Sequence, residues 1–132
     1  MSVRPFVRTA GAVAITLSLS GFRSPSSVEP PETVMVTYHA KAGSEDELAR
    51  VLAEHWSTAK RLGLVAAEPH IIVRSAESGR PVDFVEIFTW RDASIPDNAP
   101  EPIRAAWDKM NKLVESRGGR PGIDFVEVKA VL

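Results

Sequence analysis

The chain has 132 residues, with 16 Lys and Arg against 17 Asp and Glu, a formal net charge of −1 and no cysteine. That balance gives no electrostatic footprint for nucleic acid or an anionic membrane, and the missing thiols exclude disulfides, thiol catalysis and Cys-ligated zinc. The length suits one small domain, not two.

The N-terminus reads as a targeting segment. Arg4 and Arg8 flank its start, no acidic residue precedes Glu29, and the apolar run Ala10 to Leu19 is too short to span a bilayer. Residues 1–22 read as an export signal, which implies a secreted or periplasmic protein with no membrane span after cleavage. Residues 23–33 (RSPSSVEPPET) read as a Pro/Ser-rich linker, and 34–132 as the folded domain. Losing Arg4 and Arg8 leaves 14 bases against 17 acids, a net charge of −3.

Val34 to Ala40 (VMVTYHA) is rich in β-branched and aromatic residues and predicts a first strand. Gly43 breaks it, and Ser44 with Glu47 predicts a capping box. Leu48, Val51, Leu52, His55, Ala59 and Leu62 recur at helical spacing until Gly63. Pro69 precedes a short strand, His70 to Ser75. The turn Glu77 to Pro81 then makes a hairpin with the longest strand, Val82 to Arg91 (VDFVEIFTWR). A Pro-rich loop, Ile95 to Pro102, leads to a second helix that Asn98 would cap. Its stripe is Ile103, Ala106, Trp107, Met110, Leu113 and Val114. Gly118, Gly119 and Pro121 stop it, and Ile123 to Val131 closes the chain as a fourth strand. This order is the α+β, ferredoxin-like βαββαβ plan: a four-stranded antiparallel sheet with both helices on one face.

Alternation sorts the strand residues onto two faces. Val34, Val36, Tyr38, Ile71, Val73, Val85, Ile87, Thr89, Val126, Val128 and Ala130 are almost wholly apolar, which suits packing under the helices. The opposite set mixes aromatics with charges: Met35, Thr37, His39, His70, Ile72, Arg74, Phe84, Glu86, Phe88, Trp90, Phe125, Glu127 and Lys129. So much aromatic surface beside charges predicts a homodimer built through that face, with His39, His70, Arg74, Phe84, Glu86, Phe88, Phe125 and Glu127 at the interface.

The stretches VMVTYHAKAGSEDELARVLAEHW and FVEIFTWRDAS resemble the dimeric α/β-barrel superfamily, nearest the antibiotic biosynthesis monooxygenase (ABM) group. Two features carry the resemblance, the Gly-containing turn and acidic helix start at Gly43 to Glu47, and the aromatic strand end with its polar turn at Trp90 to Ser94. It covers about Val34 to Leu132. It implies a barrel of two sheets and a ligand pocket in each protomer between sheet and helices. Some members oxidise polycyclic aromatics with oxygen and no cofactor. Haem-degrading relatives use an Asn on the first strand, a Trp after the third and a His on the second helix. Of these only the Trp has a counterpart, Trp90: the first strand has no Asn, and the second helix has Trp107 but no His. The long Pro-rich loop is a further departure.

Two candidate sites follow. Between helices and sheet, His55 and Tyr38 would act as proton acceptor and donor toward a phenolic or enol substrate, with Trp107, Thr89, Met110 and Trp90 lining the pocket. The polar sheet face gathers His39, His70, Glu86, Trp90 and Glu127, whose two histidines and two carboxylates could bind a divalent metal, but no HxH or HxxxH spacing brings them together, and interface pairing and stacking account for them better. No nucleotide or phosphate motif is present. The expectation is a cofactor-independent, metal-free ABM-like enzyme acting on an aromatic or quinol-type small molecule. The alternatives are a non-catalytic module binding a small molecule or haem, and a structural dimer of the cell envelope.

Overall fold

The structure, a computed structural model, describes residues 28–131; the expected export signal (1–22) and the first part of the linker lie outside the described residues. The elements run β1 (Glu32–His39), α1 (Glu45–Arg61), β2 (Val65–Arg74), β3 (Asp83–Trp90), a 3-10 turn (Ile95–Asn98), α2 (Glu101–Leu113) and β4 (Ile123–Glu127). The sheet order is β2-β3-β1-β4, and every neighbouring pair is antiparallel. This is the expected ferredoxin-like plan.

Local chemistry explains most boundaries. Helix α1 opens on Glu45, Asp46 and Glu47 and closes on Lys60 and Arg61, charges that complement its macrodipole. Ser44 takes the N-cap position but makes no side-chain cap bond, so the expected capping box does not form. Gly63, at φ 70°, turns the chain out of α1 in a left-handed conformation that a side chain resists. Asn98 does not cap α2: it ends the 3-10 turn and donates to the Ser94 carbonyl at 3.1 Å, while Pro100 stands at the N-cap. β2 begins at Val65, earlier than expected, with an irregularity in its pairing between Val65 and His70. β4 ends at Glu127, earlier than expected.

The register corrects the sorting of faces. Val34 pairs with Phe88, Val36 with Glu86 and Tyr38 with Phe84 across β1 and β3. His70 pairs with Phe88 and Arg74 with Phe84, and across β4 Val36 pairs with Phe125 and Val34 with Glu127. Directly opposed residues share a face. Phe84, Glu86, Phe88, Trp90, His70, Arg74, Phe125 and Glu127 therefore lie on the helix side with Val34, Val36 and Tyr38, not on an outer interface. The open side carries Met35, Thr37, Ile71, Val73, Val85, Ile87, Thr89 and Val126. The parity within each strand was read correctly. The phase between strands was not, because apolar residues also line the uncovered face.

Under the helices, Leu48, Leu52, Ile103 and Met110 are fully buried and join Val34, Val36, Phe84 and Phe88 in one core. At one end of the sheet Arg117 forms a clasp. Its guanidinium pairs with Asp83 and Glu115 and donates to the carbonyls of Ala40 (2.9 Å) and Val82 (3.3 Å). His39 also holds Asp83, through Nδ1 at 2.8 Å, and is buried there. Of the expected interface residues only His39 has open-face parity, and this clasp engages it. Gly122 lets the start of β4 approach the end of α2: a Cβ there would lie 2.7 Å from Val114 Cγ2.

Candidate functional site

Glu86 is the most unusual residue of the covered face. It lies in the middle of β3 with no exposed surface. A carboxylate in that position costs several kcal/mol, on the order of a buried ion, unless its oxygens are satisfied. The neighbouring strands satisfy both. Tyr38 on β1 donates its hydroxyl to Oε1 at 3.0 Å, and His70 on β2 brings Nε2 within 2.9 Å of Oε2. Each partner sits one pair diagonally from Glu86, at the reach expected for long side chains on one sheet face.

Burial raises the Glu86 pKa above the usual carboxylate value, and the bonds from His70 and Tyr38 oppose that rise. Burial, and then the neighbouring Glu86, hold the Tyr38 phenol well above its ordinary pKa, so it acts as a neutral donor. The two ends of the network differ in access, since the His70 side chain keeps 22% of its surface and that of Glu86 keeps 1%. The Trp56 ring lies flat on His70, centroids 3.6 Å apart at an interplanar angle of 4°.

Beside this network stands His55, directed into the core by the apolar stripe of α1. Its Nε2 accepts a hydrogen bond from the Trp107 indole at 3.2 Å, while its Nδ1 is buried without a partner. Burial, with the charge of His70 as a second cause, lowers its pKa to about 4. Phe88 and Trp90 meet the imidazole edge-on, each with centroids 6.4 Å away, and Trp90 also packs edge-on against Phe88 at 5.0 Å and Trp107 at 6.4 Å. The result is an aromatic wall around one imidazole, next to a carboxyl held between a phenol and a second imidazole.

The structure thus brings together Tyr38, His55, Trp90 and Trp107 from the expected pocket, but with different partners. Tyr38 bonds Glu86 rather than His55, and His55 bonds Trp107. Thr89 is on the open face, bonded to Thr33 at 2.6 Å, and so does not line this site. Met110 is buried in the core. Glu86, His70 and Phe88, expected at the outer interface, are central to the site. Trp56 was missed, although it lies four residues after Leu52 and three before Ala59, on the stripe that marks the core face of α1. The metal reading gains nothing: His39 has the opposite sheet parity from His70 and Glu86. Among the described residues no group of three or more His, Cys, Asp or Glu is placed to hold a metal ion. No helix among them is long and apolar enough to cross a membrane.

Outside the buried set, a groove of about 1120 Å³ runs along α2, lined among others by Lys41, Pro96, Asn98, Arg104, Trp107 and Gly122. Trp107 is half-buried and borders both groove and interior.

Among solved structures, a candidate antibiotic biosynthesis monooxygenase from Bacteroides thetaiotaomicron superposes with a TM-score of 0.58 at 12% identity, over 78% of this chain and 91% of that one. The chain has the ABM-like fold. A protein from Shewanella oneidensis also matches, with a TM-score of 0.53 at 20% identity, over 76% of this chain and 92% of that one. At these identities both likenesses are of fold alone. Neither a family model nor a curated protein matches the sequence.

Proposed function

We propose that the buried network serves a small-molecule enzyme of ABM-like type, acting without a cofactor on a phenolic or quinol-type substrate. The observation that carries this reading is Glu86, a fully buried carboxyl held between Tyr38 and His70 against an aromatic wall. A carboxyl with a raised pKa approaches the range where a general base is most useful near neutral pH. Glu86 takes a proton from an activated C–H beside a phenol ring. The carbanion, delocalised into the ring, gives two electrons to dioxygen. Capture of one oxygen and loss of water turn a CH₂ group plus O₂ into C=O plus H₂O. His70 is the positioning residue that returns the proton to solvent, and the aromatic wall binds the ring. The name of the Bacteroides protein favours this chemistry for the fold.

Oxygen uptake with a panel of quinols and anthrones tests the reading. Wild-type protein should consume oxygen with at least one of them, and Glu86→Gln should not. Uptake unchanged in Glu86→Gln removes the carboxyl from the chemistry. A binding-only role is the second reading, favoured by the near-complete closure of the site in this structure; it predicts a bound ring without oxygen uptake.

The open face supports a second element of the proposal, a homodimer. Ile71, Val73 and Val126 stand exposed beside Met35, Val85 and Ile87, and none of these six residues is charged. Such a patch suits a second copy of the chain better than water. Sedimentation at micromolar concentration that finds only monomer would end that element.

A further inference from the structure

Phe88, Trp90, His55 and Glu86 are each no more than 4% exposed, so a ligand can reach them only past a side chain that moves. Trp107 is the side chain placed for this. It is half-buried where its neighbours are sealed, and it borders the α2 groove on one side. On the other side it touches the buried set through one hydrogen bond, a tilted ring contact with His55 and an edge-on one with Trp90, which a rotation about its side-chain bonds would break without moving the helix.

That hydrogen bond fixes the state of His55. An indole N–H only donates, so Nε2 carries a lone pair and the neutral ring holds its proton on Nδ1. When Trp107 leaves, a buried acceptor is exposed at Nε2, and leaving it unpaired is unfavourable. The incoming group must bring a donor of its own. The N–H···N contact, at 3.2 Å, lies at the long end for hydrogen bonds, whereas a hydroxyl can approach a ring nitrogen more closely.

We propose that Trp107 is a gate between the α2 groove and the buried site, and that the hydroxyl of a phenol-class ligand replaces the indole as donor to His55 Nε2. The inference rests on the reading of this interior as a small-molecule site. It adds the route of entry, the side chain displaced and the atom that selects the ligand. An aryl ether of the same shape has no proton to donate and leaves Nε2 unpaired.

Calorimetric titration with 1-naphthol and with 1-methoxynaphthalene tests it. Wild type should bind the naphthol about tenfold more tightly than the ether, the ratio expected of one hydrogen bond. His55→Phe should bring the ratio close to one. Trp107→Phe keeps a ring but removes the competing donor, and should bind the naphthol more tightly than wild type. Equal affinity of wild type for both probes overturns the selection by His55 while leaving the site reading intact. Weaker naphthol binding by Trp107→Phe overturns the gate. Binding of neither probe removes the site reading and the inference together. Trp107→Phe leaves His55 untouched, so it decides the matter even if His55→Phe does not fold.

Discussion

On the helix-covered face of the sheet, Tyr38, Glu86 and Trp90 are buried with most of His70, and each of their polar groups named above has a partner. On the other face Ile71, Val73 and Val126 are 50, 54 and 41% exposed. A few polar side chains thus stand inside the apolar core while some aliphatic ones stand outside it, which minimising transfer free energy for an isolated monomer would not give. The two faces answer to different demands. The covered face holds its costly groups in one arrangement, as the proposed chemistry would require. The open face keeps its polar groups, Asp83 with the Arg117 clasp and Asp124 with Arg120, toward one end of the sheet, and its remaining aliphatic surface suits another apolar surface.

The largest effect that would break this contrast is on rate. Glu86→Gln preserves shape and both neighbours but cannot accept a substrate proton, so turnover of a responsive quinol should fall by roughly 10² to 10⁴. A loss below tenfold would make the covered face structural only.

Acid stability comes next, and its sign follows from His55. Its pKa is about 4 in the folded protein against an ordinary 6.5. As pH falls from 6.5 to 4, the unfolded chain binds a proton that the folded chain refuses, so stability decreases; below 4 the loss stops. The gap corresponds to about 3 kcal/mol. Glu86 acts with the opposite sign. Its raised pKa makes the folded state take up a proton first, so acidification through the range just above its ordinary 4.5 adds stability. Urea titrations between pH 7 and 4 should show a smaller acid loss in His55→Phe and a larger one in Glu86→Gln. Identical pH profiles for the two variants would contradict both assignments.

One hydrogen bond deleted on each face sharpens the comparison. Tyr38→Phe leaves a buried oxygen of Glu86 without its donor and should cost about 1–3 kcal/mol. Thr89→Val removes only its bond to Thr33 and should cost about 0.5–1.5 kcal/mol. Chemical denaturation of the pair gives the difference directly. The smallest stability effect belongs to Ile71→Lys, expected within about 0.5 kcal/mol at this exposed position. In the proposed homodimer the same substitution should shift sedimentation from dimer to monomer.

Much of the fold was legible in the sequence. Gly63, the Glu77 to Pro81 turn and the two helical stripes marked the elements and their order, because each signal lies within a few residues. The start of β2 is hidden by Pro69, which reads as a break before a short strand; an edge strand tolerates a proline that a central one would not. The site was legible only in part. His55, Tyr38 and Trp107 were found because they sit on core-facing stripes. Glu86, His70 and Phe88 were assigned to the wrong side, since alternation tells which residues of one strand share a face but not how that face matches the next strand. The pairing of Tyr38 with Phe84 sets the match, and that contact spans 46 residues of sequence. A charged Glu86 looks like an outward residue until its two partners, on different strands, are known.

The placement of the tryptophans has an optical consequence. The chain has three, and Trp56, Trp90 and Trp107 all belong to the same aromatic cluster around His55 and Phe88. Ultraviolet emission from the whole protein is therefore emission from this one neighbourhood, with no indole elsewhere to dilute it. Trp56 is stacked face to face on an imidazole, so its emission should change if a ligand parts the two rings, and Trp107 should shift in wavelength if it turns toward water. The molecule carries its own unlabelled reporter, fast enough for stopped-flow detection.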